Sequence, residues 1–332
     1  MDIGKVGKAI TYLRKRAGYT QRDLAERIGI SDKAVSKWER GISLPDTAIL
    51  GKLSILLDTD TDSLLSGDVI HHDRRWGGIL KIEENPCGIH AGTMIFDKPL
   101  VYFLLGYFML VGIKYIRIEC DRQSREFITR EIGNGEQFGI HITFGEDGKK
   151  PSNYMVVLGR TIIYGVDQTR FFQKAMAHTG RFTILSLPKA MRENRRGLTF
   201  DAERRIIENG YDSRVVTQYN YYNMPFFFCT AEQLQALGGV QAVSPDSFVR
   251  IEEIYTEVLD RGFVELPVNT WEDVVEAASF IRTVQKSCGM ELYCLEEIAW
   301  RRGMITTEQL RRFGEEQKNN PHGRYILSLV ED

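Results

Sequence analysis

The chain of 332 residues has room for two domains, and its 43% hydrophobic and 27% charged residues exclude a disordered or fibrous polymer. A formal net charge of -2 excludes general attraction to nucleic acid, so any DNA affinity has to come from a local cluster of cations. Cys87, Cys120, Cys229, Cys288 and Cys294 form no C-x-x-C pair, the first residues lack a signal-type apolar run, and residues 100–111 fall well short of the roughly 20 needed to span a bilayer; a cytoplasmic protein with reduced thiols and no membrane partner is expected.

Val6, Ile10 and Leu13 recur at helical spacing, with Lys5, Lys8, Arg14, Lys15 and Arg16 on the other sides, and Gly18 ends that helix. Residues 20–41, TQRDLAERIGISDKAVSKWERG, then form two short helices. Thr20 caps the first with Asp23 in capping-box position, Ala25 lets the second cross closely, Gly29 makes the turn, and Ser31 caps the second. Ile28, Ile30, Val35 and Trp38 supply their apolar side, which makes this a helix-turn-helix. Pro45 and Asp46 restart the chain before an apolar stripe of Ile49, Leu50, Leu53, Leu56 and Leu57, and a last short helix near residues 60–65 completes an α domain of five helices over residues 1–67. Residues 68–75 are a polar linker, and its adjacent His71 and His72 do not point to one metal site.

Direct readout of DNA needs donors on the start and outer face of a recognition helix, and Ser31, Asp32, Lys33, Ser36, Lys37 and Arg40 occupy that face. Lys33 and Lys37 are expected on base edges and Arg40 on the backbone. Asp32 repels phosphate and can accept only from cytosine, so it sets sequence preference by exclusion. The segment resembles the lambda-repressor and Cro (Xre-type) family, in which Gln follows Thr at the start of the first helix and Trp-Glu-Arg-Gly closes the second. The resemblance implies a double-stranded DNA operator, a contact from Gln21 to a phosphate or neighbouring base, and an ion pair between Arg14 and Glu39.

From Trp76 onward strand-like and helix-like patterns alternate, the mark of an α/β domain with a largely parallel sheet, over residues 76–332. Pro99 opens an apolar helix that Gly112 closes. Strands are expected at residues 115–120, 140–144, 154–158, 182–187 and 224–229, helices at 124–132 and 169–178, and a hairpin over 196–207. From residue 244 the chain reads as mostly helical.

The stretches DKPLVYFLLGYFMLVGIKYIRIEC, IGNGEQFGIHITF, VVLGRTIIYG, TWEDVVEAASFIRTVQKSCGMELYCLEEIAWRRGMI and NPHGRYILSLVED, in that order, resemble glucose-1-phosphate thymidylyltransferase. That resemblance implies a Rossmann-like nucleotidyltransferase fold with a helical C-terminal part. It also implies nucleotidyl-transfer chemistry, which needs a phosphate cradle and carboxylate-held magnesium. The sequence departs from the family at those positions. The Gly-rich loop after the first strand is missing from GGILKIEENPCGIHAGTMIFDKP, and His90 replaces a lysine. The first metal-binding carboxylate, in L-G-D, is matched by Arg160, and the second by Pro267, with Asn269 and Thr270 following.

The expectation is therefore a transcriptional regulator whose large domain is a pseudoenzyme with no catalytic residue, metal or cofactor. That domain would mediate a homodimer or higher homo-oligomer and sense a sugar nucleotide or sugar phosphate in a cleft marked by His90, Arg160 and Asn269. The alternatives are an active sugar-1-phosphate nucleotidyltransferase with a regulatory DNA-binding domain, and a DNA-bound scaffold for a protein partner.

Overall fold

The structure, a computed structural model, describes residues 2–16, 19–57, 59, 61–67, 76–145, 151–178, 180–188, 197–200, 206–210, 221–242, 254–260 and 262–331. It separates into two compact units, Met1–Arg74 and Arg75–Asp332. Gly18, His71 and His72 lie outside the described residues.

The first unit holds helices α1 (Ile3–Arg16), α2 (Gln21–Ile28), α3 (Asp32–Glu39), α4 (Thr47–Leu56) and α5 (Thr61–Ser66). Each start is written locally. The Thr20 hydroxyl accepts from Asp23 N at 3.1 Å while Asp23 Oδ2 accepts from Thr20 N at 2.8 Å, a closed capping box of about 1 kcal/mol. Gly29 ends α2 with φ 76°, a left-handed turn that a side chain would strain. Val6, Ile10 and Leu13 of α1 meet Leu24, Ala25, Val35, Trp38, Leu50, Leu53 and Leu64 in one buried cluster, so the five-helix domain is as the sequence reads.

In the second unit β1 (Trp76–Ile82) lies between two parallel neighbours, β4 (Tyr115–Cys120) and β6 (Asn153–Leu158), and β5 (His141–Thr143) continues in parallel beyond β4. The far side of β6 is different. There β11 (Tyr221–Thr230) runs antiparallel to β6, to β8 (Phe182–Pro188) and to β9 (Gly197–Phe200); β9 carries β10 (Ile206–Gly210), and β8 pairs in parallel with β12 (Ile254–Val258). The sheet is thus mixed rather than largely parallel. An apolar run such as MPFFFC reports burial on both faces and carries no sign of strand direction.

Helix α6 (Leu100–Leu110) is buried along nearly its whole length against β1 and α11 (Leu295–Arg301), which explains why it is apolar all round. Its approach requires glycine in β1: a Cβ on Gly78 would come within 2.7 Å of the Phe108 ring. Helices α7 (Arg122–Glu131) and α8 (Gln168–Ala177) are found as expected, α9 (Ala231–Ala236) follows β11, and the two-residue strands β2 (Met94–Ile95) and β3 (Lys98–Pro99) pair with each other. The expectation of a mostly helical chain after residue 244 needs correction. Besides β12, residues Val264–Pro267 form β13, which pairs antiparallel with β7 (Thr161–Tyr164). Both strands are too short for periodicity to separate them from a helical turn. The helical part is α10 (Trp271–Cys288), α11, α12 (Thr307–Glu316) and α13 (Pro321–Glu331). No helix among the described residues is long and apolar enough to cross a membrane.

Candidate nucleic-acid interface and ligand cleft

Helix α3 presents a polar, outward face. Ser31 caps it by accepting from Ala34 N at 3.3 Å, and Asp32 Oδ1 accepts from Lys33 N at 2.8 Å, so these two side chains are partly spent on the helix start. Lys33 and Lys37, one turn apart, are exposed, Ser36 between them is half-buried, and the exposed Arg40 donates through Nε to the Ser36 carbonyl at 3.3 Å. Beneath this face, Glu39 accepts from Arg14 Nε at 2.5 Å and from Arg14 Nη2 at 3.1 Å, and Arg14 Nη1 also holds the Tyr19 carbonyl at 2.7 Å. The ion pair anticipated between α1 and α3 is present, with both side chains under a tenth exposed.

Gln21 Nε2 donates to Glu39 Oε2 at 2.7 Å, which ties the side chain to α3 and leaves the second amide hydrogen and the amide oxygen uncommitted. This bond has no local signal, because the two residues are joined only once the helices cross. Arg22 was also overlooked: fully exposed, it pairs with Glu26 at 2.9 Å, and its pKa is raised chiefly by that bond and further by the nearby charge of Asp32. Asp32 therefore has a cation close by.

In the second unit a cleft of about 750 Å³ opens at the carboxyl ends of β1 and β4, the place where open α/β sheets bind ligands. Lys81, Glu119 and Asp121 line it from the strand ends, Arg122 and Glu126 from α7, and residues 83–85 and 88–90 from the loop after β1. Three bonds pin that loop: Arg160 Nη1 donates to the Glu83 carbonyl, Asn85 Nδ2 to the Asn269 carbonyl at 3.0 Å, and Trp271 Nε1 to the Cys87 carbonyl at 3.1 Å.

Of the three residues expected to mark the cleft, His90 lines it, with Nδ1 accepting from Gly92 N at 3.1 Å and its ring edge-on to Phe127. Arg160 and Asn269 touch the loop that walls it. Pairing of β7 with β13 brings these two together, Thr161 opposite Pro267 and Val268 N donating to the Arg160 carbonyl at 2.7 Å. Arg160 is only 8% exposed. Burial lowers its pKa, against the pull of the Asp121 and Glu83 charges, and its Nε has no hydrogen-bond partner.

These residues do not fit a magnesium ion at the positions where the resemblance places one. A guanidinium donates and cannot ligate, and Pro267 offers no side-chain oxygen.

A second polar cluster lies among the C-terminal helices. His322 Nδ1 is 2.7 Å from Glu291 Oε2 and its Nε2 is 3.4 Å from Glu296 Oε1, while Cys294 Sγ donates to Glu296 Oε2 at 3.4 Å. Burial disfavours the imidazolium, but the bonds to Glu291 and Glu296 outweigh it and raise the His322 pKa to about 9. Ligand atoms of Glu291, Cys294 and His322 lie within 4.8 Å of one another, a set able to hold a soft divalent ion, although the Lys98 ammonium 3.5 Å from Glu291 opposes further positive charge. No local spacing in the sequence signals this cluster.

A helix-turn-helix family model matches residues 10–64. Over the rest, the chain is 29% identical across 262 residues to a glucose-1-phosphate thymidylyltransferase of Neisseria meningitidis, covering 71% of this chain and 90% of that one. It is 25% identical across 263 residues to one of Actinoplanes, covering 72% and 86%. The crystal structure of a protein assigned as a glucose-1-phosphate thymidylyltransferase from Bacillus anthracis, with sucrose bound, superposes with a TM-score of 0.51 at 13% identity, over 62% of this chain and 95% of that one, and shows the shared fold. The chain thus joins an Xre-type helix-turn-helix domain to a glucose-1-phosphate thymidylyltransferase-like domain. The expectation of a non-enzyme is overturned here, since relatives matched over about nine-tenths of their own length are named as enzymes.

Proposed function

We propose that the protein is a cytoplasmic, sequence-specific DNA-binding transcriptional regulator whose nucleotidyltransferase-like domain assembles it into a homodimer or higher oligomer and binds a sugar nucleotide or sugar phosphate. The observation that carries this reading is the exposed Lys33 and Lys37 face of α3, fixed from below by Glu39 and Arg14. Two or more copies are required on physical grounds. One recognition helix reads about half a site, and phosphate contacts alone give weak, salt-sensitive binding. Selection of full-length protein on random duplexes, followed by a gel shift on the winning sequence, tests the reading; enrichment of no sequence over bulk DNA would refute it.

A second reading is favoured by the relatives' names: the cleft also carries out thymidylyl transfer. In that reaction a sugar-phosphate oxygen attacks the α-phosphorus of dTTP and pyrophosphate leaves. Release of pyrophosphate from dTTP and glucose 1-phosphate, followed with and without magnesium, decides it. Absence of turnover in both conditions would remove this second reading and leave the first standing.

A further inference from the structure

A buried guanidinium with a bare donor is an unsettled group. Arg160 sits 8% exposed behind the cleft loop, spends Nη1 on one backbone carbonyl, and leaves Nε without a partner. A buried charge is tolerated when it is paired or when a ligand pairs it. Among the described residues Arg160 is not paired, and the carboxylates whose charges reach it, Asp121 and Glu83, both belong to the cleft wall. Arg160 does not itself line the cleft; it stands behind that wall, with its charge reaching the carboxylates on it.

We infer that the guanidinium of Arg160 supplies the positive charge that receives the ligand's phosphoryl group in this cleft, so that a sugar phosphate or sugar nucleotide is bound without a divalent ion. The inference rests on the ligand-binding reading given above. A guanidinium stays charged under all ordinary conditions, so its charge acts on the cleft whether or not a proton donor reaches the ligand. It also repels a metal ion from the place where a carboxylate would have drawn one in.

Four of the five acidic residues of the cleft do not reverse this conclusion, because they are already engaged; the fifth, Glu84, is exposed to solvent. Glu83 pairs with Lys81 at 3.0 Å, Glu119 accepts from Arg117 Nε at 2.7 Å, and Glu126 accepts from Arg122 Nε at 2.7 Å. Asp121 gives one oxygen to Ser124 N at 2.8 Å and the other to the Ser124 hydroxyl at 2.6 Å. These four carboxylates compensate cations and a helix start.

The test is calorimetric titration of the full chain with glucose 1-phosphate, dTDP-glucose and UDP-glucose, first in EDTA and then with magnesium. Binding of at least one probe is expected in EDTA, with an affinity that magnesium leaves within about twofold. Arg160→Gln should weaken it at least about tenfold, the size of one lost hydrogen bond to a charged group. Arg160→Lys, which keeps the charge but cannot reproduce the bond to the Glu83 carbonyl, should stay within about threefold of the parent. Binding that appears only with magnesium overturns the inference while leaving the ligand-binding reading intact. Equal loss in the Gln and Lys variants also overturns it, since Arg160 would then only be pinning the loop. No binding of any probe in either condition overturns the ligand-binding reading itself, and this inference with it.

Discussion

Glu39 on α3 receives the Arg14 guanidinium of α1 through two bonds, at 2.5 and 3.1 Å, and takes Gln21 of α2 on the same carboxylate at 2.7 Å. One carboxylate thereby ties three helices together directly under the recognition face.

Removing either partner strands a buried charge. Glu39→Gln should lower the stability of the helical unit by about 3 kcal/mol, whereas the double variant Arg14→Met with Glu39→Met should cost markedly less, because no unpaired ion remains. Urea unfolding followed by far-ultraviolet dichroism measures both. If the double variant proves no more stable than Glu39→Gln, the charge-stranding argument fails.

The lysines and Arg40 should separate by what they do to DNA. Lys37→Ala is expected to weaken the selected operator by about 1–3 kcal/mol while leaving bulk DNA nearly untouched, the mark of a base contact. Arg40→Ala should weaken all sequences alike and reduce the slope of log affinity against log salt by about 1. Gel shifts over a salt series distinguish the two, and a uniform effect from Lys37→Ala would move that residue to the phosphate backbone.

The cluster around His322 makes stability depend on pH. Its pKa rises on folding from an ordinary value near 6.5 to about 9, so the stabilisation is complete below about pH 6.5 and is lost as pH climbs through 9. Glu296 works at the other end: burial favours its neutral form, but the bond from His322 prevails and holds its pKa below the ordinary range. His322→Gln should therefore melt earlier than the parent near pH 7, by a difference on the order of 2 kcal/mol, and the two should converge by about pH 10. Parallel thermal scans across that range would contradict this if the gap stayed constant.

The sequence told most where structure is made by near neighbours. The capping box at Thr20, the turn at Gly29 and the all-apolar α6 follow from residues within a few positions of one another, and they are found where the pattern puts them. What it concealed depends on distant segments meeting. Gln21 finds Glu39 only across a helix crossing, and His322 finds Glu291 and Glu296 only when α13 folds back onto α11. The neighbourhood of Arg160 and Asn269 is intermediate. Likeness to the thymidylyltransferases suggested it, but the physical cause is the pairing of β7 with β13, two short strands with no periodicity to announce them. Direction within the sheet was also invisible, because the buried MPFFFC run of β11 is as apolar as the parallel strands β1 and β6, and only its pairing reveals that it runs the other way.

Tyr107 offers the last test, because it couples the buried helix α6 to the strand that begins beside Arg160. Its hydroxyl accepts from Ile163 N at 2.8 Å and donates to the Thr161 carbonyl at 3.0 Å, so one fully buried oxygen satisfies both a donor and an acceptor of β7. Tyr107→Phe keeps the ring packed between Phe172, Phe226 and Tyr293 and removes only that oxygen. The two stranded backbone groups should cost about 3 kcal/mol together, well above the roughly 1 kcal/mol net value of a single bond. Because the helix-turn-helix forms a separate compact unit, intrinsic affinity for a half-site should be unchanged while the large domain melts earlier. Calorimetric melting paired with a half-site gel shift checks both parts, and a variant as stable as the parent would show that the Thr161 and Ile163 backbone groups find other partners.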